Sequence, residues 1–438
     1  MKTITVNPTI LKEQIKPLHS VGGGPRQGGP FLGQNFDKEF TEIGVPYCRL
    51  HDIEGAYAQN QFVDVHCIFP NFDADENDPE SYNFTVTDKY INAIHACGGE
   101  TFYRLGETID HYPEKLYVRP PKDNLKWAKI CEHIILHYNY GWANGFTLGI
   151  KYWEIWNEPD NPRMWTGTKE EFFDLYVTSA TYLKKKFPDL KIGGYAVSGF
   201  YSFNRADASP WFMTLVPYLT DFFEHLKKQP EKVPLDFLSW HCYAESPEEV
   251  VLHAKYAREF LDKYGYNDAE SILDEYNTRD SLSVFPKTLP YYGAEIGATL
   301  IATQDSTIDV LMYYDLRLHA MNGVFQMVDY TKVERLHAFY ALRDFGNLYR
   351  LKTRCELSGT PDKVYALSAT DGNKVGIMIA VKDFSGEIML DVFNCENKSY
   401  TINESTYEKH ESITNGMAKD GKIKLDLKKD AIYYIELV

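Results

Sequence analysis

Two glutamates stand where apolar runs stop. In KYWEIWNEPD (151–160) an aromatic stretch ends at Asn157, Glu158 and Pro159, and in SILDEYN (271–277) Ile272 and Leu273 lead into Asp274 and Glu275. Bringing a carboxylate out of so apolar a run is costly unless the group is paired or put to use. Two carboxylates at the ends of separate strands are what glycosidic bond cleavage needs. One donates a proton to the leaving oxygen, and the other attacks the anomeric carbon or activates water. Proline cannot donate to a sheet ladder, so Pro159 ends the first run just past Glu158. In regular strands, alternation puts Glu154, Trp156 and Glu158 on one inward side, and lets only one of Asp274 and Glu275 face the site. Glu154 then needs a buried partner, with Arg49 or Arg104 as candidates, and reads as structural. His51 in RLHD and His241 in SWHCY also close apolar runs, where either a structural or a functional histidine fits.

The elements that must hold these groups recur in order. Candidate strands are 18–23, 46–52, 99–107, 151–158, 191–196, 236–243, 270–277 and 310–317, each separated by room for a helix. Eight such units predict a (β/α)8 TIM barrel, whose functional groups collect at the carboxyl ends of the strands. Helix starts are marked: Thr168 with Glu171 three residues on forms a capping box, and Ser246-Pro247 with Glu249 offers a cap, a first-turn proline and a reciprocal acceptor. After about residue 350 the texture turns to short alternating runs punctuated by Asp371-Gly372, Ser385-Gly386, Asn415-Gly416 and Asp420-Gly421. That pattern predicts an antiparallel β-sandwich. The expected division is residues 1–14 as a strand joining the sandwich, 15–345 as the barrel and 346–438 as the sandwich.

The 438 residues, 44% of them hydrophobic, are ample for a large core plus a smaller module. Aromatic content of 15% serves either core filling or a sugar cleft. A net charge of −16 argues against nucleic acid and anionic membrane as partners. The opening MKTITVNPTILKEQ has no long apolar core, and no apolar run is long enough to span a bilayer. Seven scattered cysteines without a CxxC pattern fit free thiols and a cytoplasmic location. There is no HExxH, no clustered His/Cys/Asp spacing, no GxSxG and no P-loop, so neither a metal nor a cofactor is expected. VGGGPRQGG (21–29) matches no phosphate-binding fingerprint and reads as the loop after the first strand.

Over most of residues 15–350 the chain resembles the clan A glycoside hydrolase barrels, and within them family 39, the β-xylosidase and α-iduronidase family. The resemblance rests on RLHD (49–52), SYNFTVTDKYINAIHACGG (81–99), PPKDNLKW (120–127), WEIWNEPD (153–160), SWHCY (239–243) and DEYNT (274–278). It implies that Glu158 is the general acid/base and Glu275, rather than Asp274, the nucleophile. It implies that Asn157 bonds the sugar 2-hydroxyl, that His51 and His241 line the substrate pocket, and that Tyr243 lies near the nucleophile. A retaining, covalent mechanism follows, with carboxyl groups about 5–5.5 Å apart. Repulsion from Glu275 is expected to raise the pKa of Glu158, while donors keep Glu275 charged.

Two loops depart from the family pattern. The one after strand eight (316–342) looks shortened, and the one after strand two (55–84) is long, aromatic and acidic. The reaction class therefore carries over more firmly than the sugar. A β-xylosidase-like enzyme acting on a terminal sugar is the leading expectation. An α-L-arabinofuranosidase, another exo-glycosidase of the family, or a carbohydrate-binding barrel without turnover stay open. The expected partner is a carbohydrate, and a homo-oligomer is compatible with the family.

Overall fold

The computed structural model describes residues 2–25, 36–53, 62–317, 322–329 and 332–438. Parts of three segments singled out above lie outside the described residues: 26–29 of the glycine-rich stretch, 55–61 after the second strand, and 318–321, 330 and 331 after the eighth.

Strand β1 (Lys2–Gln14) precedes a closed parallel barrel. Its strands are β2 (Ser20–Gly22), β3 (Tyr47–Arg49), β4 (Glu100–Leu105), β5 (Tyr152–Ile155), β6 (Lys191–Val197), β7 (Phe237–Ala244), β8 (Glu270–Thr278) and β9 (Val310–Tyr313), neighbours in sequence order. Between and after them run α1 (Asp37–Ile43), the single turn α2 (Val65–Ile68), α3 (Thr85–Ala96), α4 (Asn124–Tyr140), α5 (Lys169–Lys186), α6 (Phe212–Lys227), α7 (Pro247–Lys263), α8 (Tyr292–Thr303) and α9 (His337–Leu351). Each of the eight expected runs matches one barrel strand, with β6, β7 and β8 running one residue further. A hairpin of β10 (Phe325–Asp329) and β11 (Lys332–Arg335) sits between β9 and α9.

The capping box at Thr168 forms as the sequence requires. At α7 only half of it does. Ser246 Oγ accepts from Glu249 N at 3.3 Å, but the Glu249 carboxylate turns to Arg205, Asn204 and Glu245 N instead of returning to Ser246. A guanidinium is a stronger partner for a carboxylate than an amide.

Alternation fills the barrel in layers. Phe102, Tyr152, Phe237, Ile272, Val310 and Met312 form a buried apolar plug at the amino end. Trp153, Ile155, Trp240 and Leu273, one residue out of phase, pack outward in the main core with the helices. Above the plug come Arg49, Glu154, His241 and Asp274, all 1% exposed or less. The floor is thus dry and apolar, and the layer toward the mouth is charged.

The remaining strands are β12 (Thr353–Ser358), β13 (Val364–Thr370), β14 (Val375–Val381), β15 (Gly386–Val392), β16 (Ser399–Ser405), β17 (Ser412–Met417), β18 (Lys422–Leu427) and β19 (Ala431–Leu437). With β1 they form one nine-stranded sheet in the order β17-β16-β19-β14-β13-β12-β1-β15-β18. Ile377, Ile379, Tyr433 and Ile435 from its middle share one apolar core with Ile388, Leu390, Ile423 and Leu425 from its end, so the sheet curls over and packs on itself like a sandwich. It is mixed rather than antiparallel, because β1 pairs parallel with β15 while pairing antiparallel with β12. Asn415-Gly416, expected as a turn, lies inside β17, paired with Thr401 and Tyr400.

The sheet covers the barrel at α8 and α9. Gly297 leaves room for Met378 and Ala380, and Lys382 Nζ lies 2.6 Å from Glu295. α9 also packs on α1. A Cβ at Gly346 would fall 1.9 Å from the Ile43 carbonyl oxygen. Gly346→Ala is therefore expected to destabilise by about 1–3 kcal/mol through this clash, although alanine is the better helix former by about 1 kcal/mol. Urea unfolding measures the sign.

Candidate active site

The carboxyl ends of the strands depart from regular geometry where the candidate residues lie. β5 ends at Ile155, not at Glu158, because Trp156 (φ 71°) and Glu158 (φ 45°) both adopt left-handed backbone conformations. Such conformations cost energy for non-glycine residues and cluster at functional sites. Here Trp156 N bonds Leu105 O at 2.7 Å and Glu158 N bonds Ala196 O at 3.1 Å, which anchors the turn to both neighbouring strands.

The turn overrides alternation. Trp156 does not face the interior with Glu154. Its indole donates to Met164 O and packs against Trp127 of α4 and against Trp165. Asn157 and Glu158 turn inward in its place.

A second irregularity sits across the barrel. In the β7–β8 pairing Trp240 faces Leu273 while His241 faces Glu275, so Asp274 is an extra residue, a bulge. Asp274 and Glu275 therefore both point inward, which corrects the expectation that only one could. Both are buried, at 0% and 7% exposure.

Arg49, 1% exposed, ties these pieces together. Its guanidinium lies 2.8 Å from Glu154 Oε2, 2.8 Å from Asp274 Oδ2 and 3.6 Å from Glu275 Oε2, and donates to Asn157 Oδ1 at 2.6 Å. Arg49 is thus the partner of Glu154. Arg104 instead bonds Asp64 and Thr108. With its carbonyl held by Arg49, the Asn157 amide keeps its Nδ2 hydrogens for another acceptor.

His241 links the two glutamates. Its Nδ1 is 2.7 Å from Glu158 Oε1 and 3.6 Å from Glu275 Oε2, and its Nε2 is 3.6 Å from Asp274 Oδ1. Tyr243 donates its hydroxyl to Glu275 Oε1 at 2.5 Å. One oxygen of Glu158, one of Glu275 and a His241 nitrogen all lie within 4.8 Å of one another. His51 is buried beside Arg49, 3.6 Å from Asp52, and its Nδ1 has no hydrogen-bond partner among the described residues.

The charges divide in the opposite sense to the sequence expectation. Burial pushes the Glu158 carboxyl up, but the His241 hydrogen bond and charge, with help from Asn161 and Arg49, outweigh it and hold Glu158 below its ordinary range. Burial and the Glu158 charge raise Glu275 despite His241, Arg49 and Tyr243. Burial lowers His241, yet Glu275, Asp274 and Glu158 together lift it to about 9. Repulsion between the two glutamates is real. Contact with the imidazole decides which of them bears its cost.

Several participants carried no sign of a role in the sequence, though Asp160 closes WEIWNEPD and Asp52 closes RLHD. Asn161 Nδ2 donates to Glu158 Oε2 at 2.9 Å from the turn after Pro159. Asp160, bonded by Ser198 and pushed up to about 7 by burial and by Glu158, lies just behind it. On the opposite wall Tyr314 donates to Asp52 Oδ2 at 2.7 Å and accepts from Arg317 Nη2 at 2.8 Å. A further acidic and histidine group, Asp64, His66 and Glu107, is satisfied internally: Asp64 by Arg104 and Thr108, and His66 by Glu107.

The model of the family described as glycosyl hydrolases family 39 matches residues 37–342. A β-xylosidase of Geobacillus stearothermophilus is 26% identical over 281 residues, covering 58% of this chain and 49% of that protein. An α-1,4-L-rhamnosidase of Formosa agariphila is 24% identical over 318 residues, covering 70% and 55% respectively. The chain spans about half the length of these relatives. Among solved structures, a glucosidase from Croceicoccus marinus superposes with a TM-score of 0.83 at 20% identity, covering 100% of this chain and 99% of that one, a likeness of fold.

Two outcomes follow from the charged layer. Arg49→Ala strands Glu154 without a cation and leaves Asp274 only His241, and is expected to cost about 3–5 kcal/mol in urea unfolding. Arg49→Lys recovers only part of this, because an ammonium cannot bond several strands at once. His241 is raised from its ordinary 6.5 to about 9 in the folded protein. Its stabilisation is then complete below pH 6.5 and is lost as pH rises through about 9. The difference in unfolding midpoint between the wild type and His241→Gln should shrink over that window.

Proposed function

Because the chain belongs to glycosyl hydrolases family 39, we propose that it is a retaining glycosidase acting on a terminal sugar, of the β-xylosidase type. The observation that carries this reading is the pair of glutamates, Glu158 in the turn after β5 and Glu275 within β8, with an oxygen of each within 4.8 Å. That closeness favours direct attack by a carboxylate over a bridging water, which needs carboxyl groups about 6.5–9.5 Å apart.

In this reading Glu275, oriented by Tyr243 and Arg49, attacks the anomeric carbon and forms a glycosyl ester. Glu158 gives a proton to the leaving oxygen, then takes one from the water that hydrolyses the ester. The Asn157 amide bonds the 2-hydroxyl, where contacts tighten in the transition state. His51 is held neutral by burial and by Arg49, so it meets sugar hydroxyls as a neutral donor and acceptor. The β-xylosidase relative favours xylose. The rhamnosidase relative is the reason to include other sugars in the assay, arabinofuranose among them.

Nitrophenol release from aryl glycosides of xylose, arabinofuranose, rhamnose, glucose, galactose and fucose tests the proposal. Turnover of one sugar with retained anomeric configuration by NMR, abolished in Glu275→Ala, is the expected outcome. Glu158→Ala should lose about 10²–10⁴-fold on poor leaving groups and regain rate with azide. Inverted product, or turnover surviving in Glu275→Ala, refutes the assignment. Silence across the panel together with oligosaccharide binding would support a binding barrel instead.

A further inference from the structure

The catalytic assignment above leaves open where the acid's proton resides before the substrate arrives, and the surroundings of His241 bear on that question. The inference rests on the assignment of Glu158 as acid/base. His241 is fully buried. Glu158 from the turn after β5 and Asp274 and Glu275 of β8 face it; Glu154 of β5 pairs with Arg49 of β3 in the same layer, His51 follows β3, and Tyr243 lies two residues on along β7. Four carboxyl groups thus surround one guanidinium and one imidazole in a layer closed to water from below by the apolar plug. Nδ1 is the one imidazole nitrogen within reach of both catalytic carboxylates, at 2.7 and 3.6 Å, while Nε2 faces the third carboxylate, Asp274.

We propose that the free enzyme keeps its catalytic proton on His241, as an imidazolium, and that His241 Nδ1 hands this proton to Glu158 when a glycoside docks. The Nδ1–H bond breaks as an O–H bond forms on Glu158 Oε1, leaving a neutral imidazole whose Nε2–H faces Asp274. Glu158 passes the proton to the glycosidic oxygen as the bond from that oxygen to the anomeric carbon breaks and the Glu275 ester forms. In the second half, water attacks the anomeric carbon and the ester bond breaks. Glu158 takes the water's proton and returns it to Nδ1. The depressed Glu158 and the elevated His241 agree with this resting arrangement. Glu158 need not then be intrinsically a weak acid, because its proton sits one short hydrogen bond away.

Nitrogen NMR of histidine-labelled, ligand-free protein tests the resting state without any turnover. The His241 ring is expected to carry protons on both nitrogens at neutral pH, to titrate near 9, and to titrate at least about one pH unit lower in Glu158→Gln, which removes a charged partner. A neutral His241 ring at neutral pH overturns the proposal. Kinetics supply the second arm. His241→Gln keeps an N–H for Glu158 but no transferable proton. It is expected to lose about 100-fold on an alkyl glycoside and much less on a dinitrophenyl glycoside that needs no acid, with the alkaline limb of kcat/KM moved to lower pH. Equal loss on both substrates with an unmoved limb would make His241 a positioning residue only and overturn the shuttle. If wild type turns over nothing, the catalytic reading fails, while the NMR arm still reports where the proton lies.

Discussion

One buried guanidinium holds the mouth of this barrel together. Arg49 reaches Glu154 and Asn157 from one strand and Asp274 and Glu275 from another three positions around the ring. Removing so many charges from water is unfavourable for each alone, and only their mutual geometry offsets that cost. The consequence is positional. The Asn157 amide and the Glu275 carboxylate cannot shift independently, since both are referred to the same planar fork. The apolar plug beneath matters equally, because it keeps solvent from screening these contacts from below.

Regular strands would not deliver these groups. Alternation sends successive side chains to opposite faces, so adjacent inward residues require a break in the pattern. β5 makes its break with left-handed Trp156 and Glu158, and β8 makes its own with a bulge at Asp274. Each break adds one inward polar residue beside one of the two glutamates. The indole displaced by the first break becomes a wedge between Trp127 and Trp165, so the strained turn also gains apolar packing.

Periodicity and punctuation made much of this legible. Eight strands, the Thr168 cap and both glutamates were readable because each reflects a local rule: apolar run length, a capping pattern, a carboxylate at a run's end. The glutamates' environment was not readable. Whether Asp274 faces inward depends on one extra residue in a ladder, and whether Glu158 is held above or below its ordinary range depends on a histidine 83 residues away. Asn415-Gly416 misled because a turn-prone pair is tolerated in a strand that ends a sheet. Tyr314, Asp52 and Arg317 come together only after the barrel closes, with β9 beside β2 and β3 next to it.

The place of β1 has a kinetic consequence. It is made before the barrel, yet its two neighbours, β12 and β15, emerge only after the entire barrel. Ile4 and Val6, fully buried in the finished sheet, must therefore wait in solvent or in makeshift contacts throughout synthesis. Pairings so distant in sequence are slow to close. The barrel, built from neighbours in chain order, can consolidate well before them. The nascent protein thus passes through a stage with its charged layer assembled and a sticky early strand still unclaimed. That stage is the one in which a chaperone, or a second nascent chain, has most to bind.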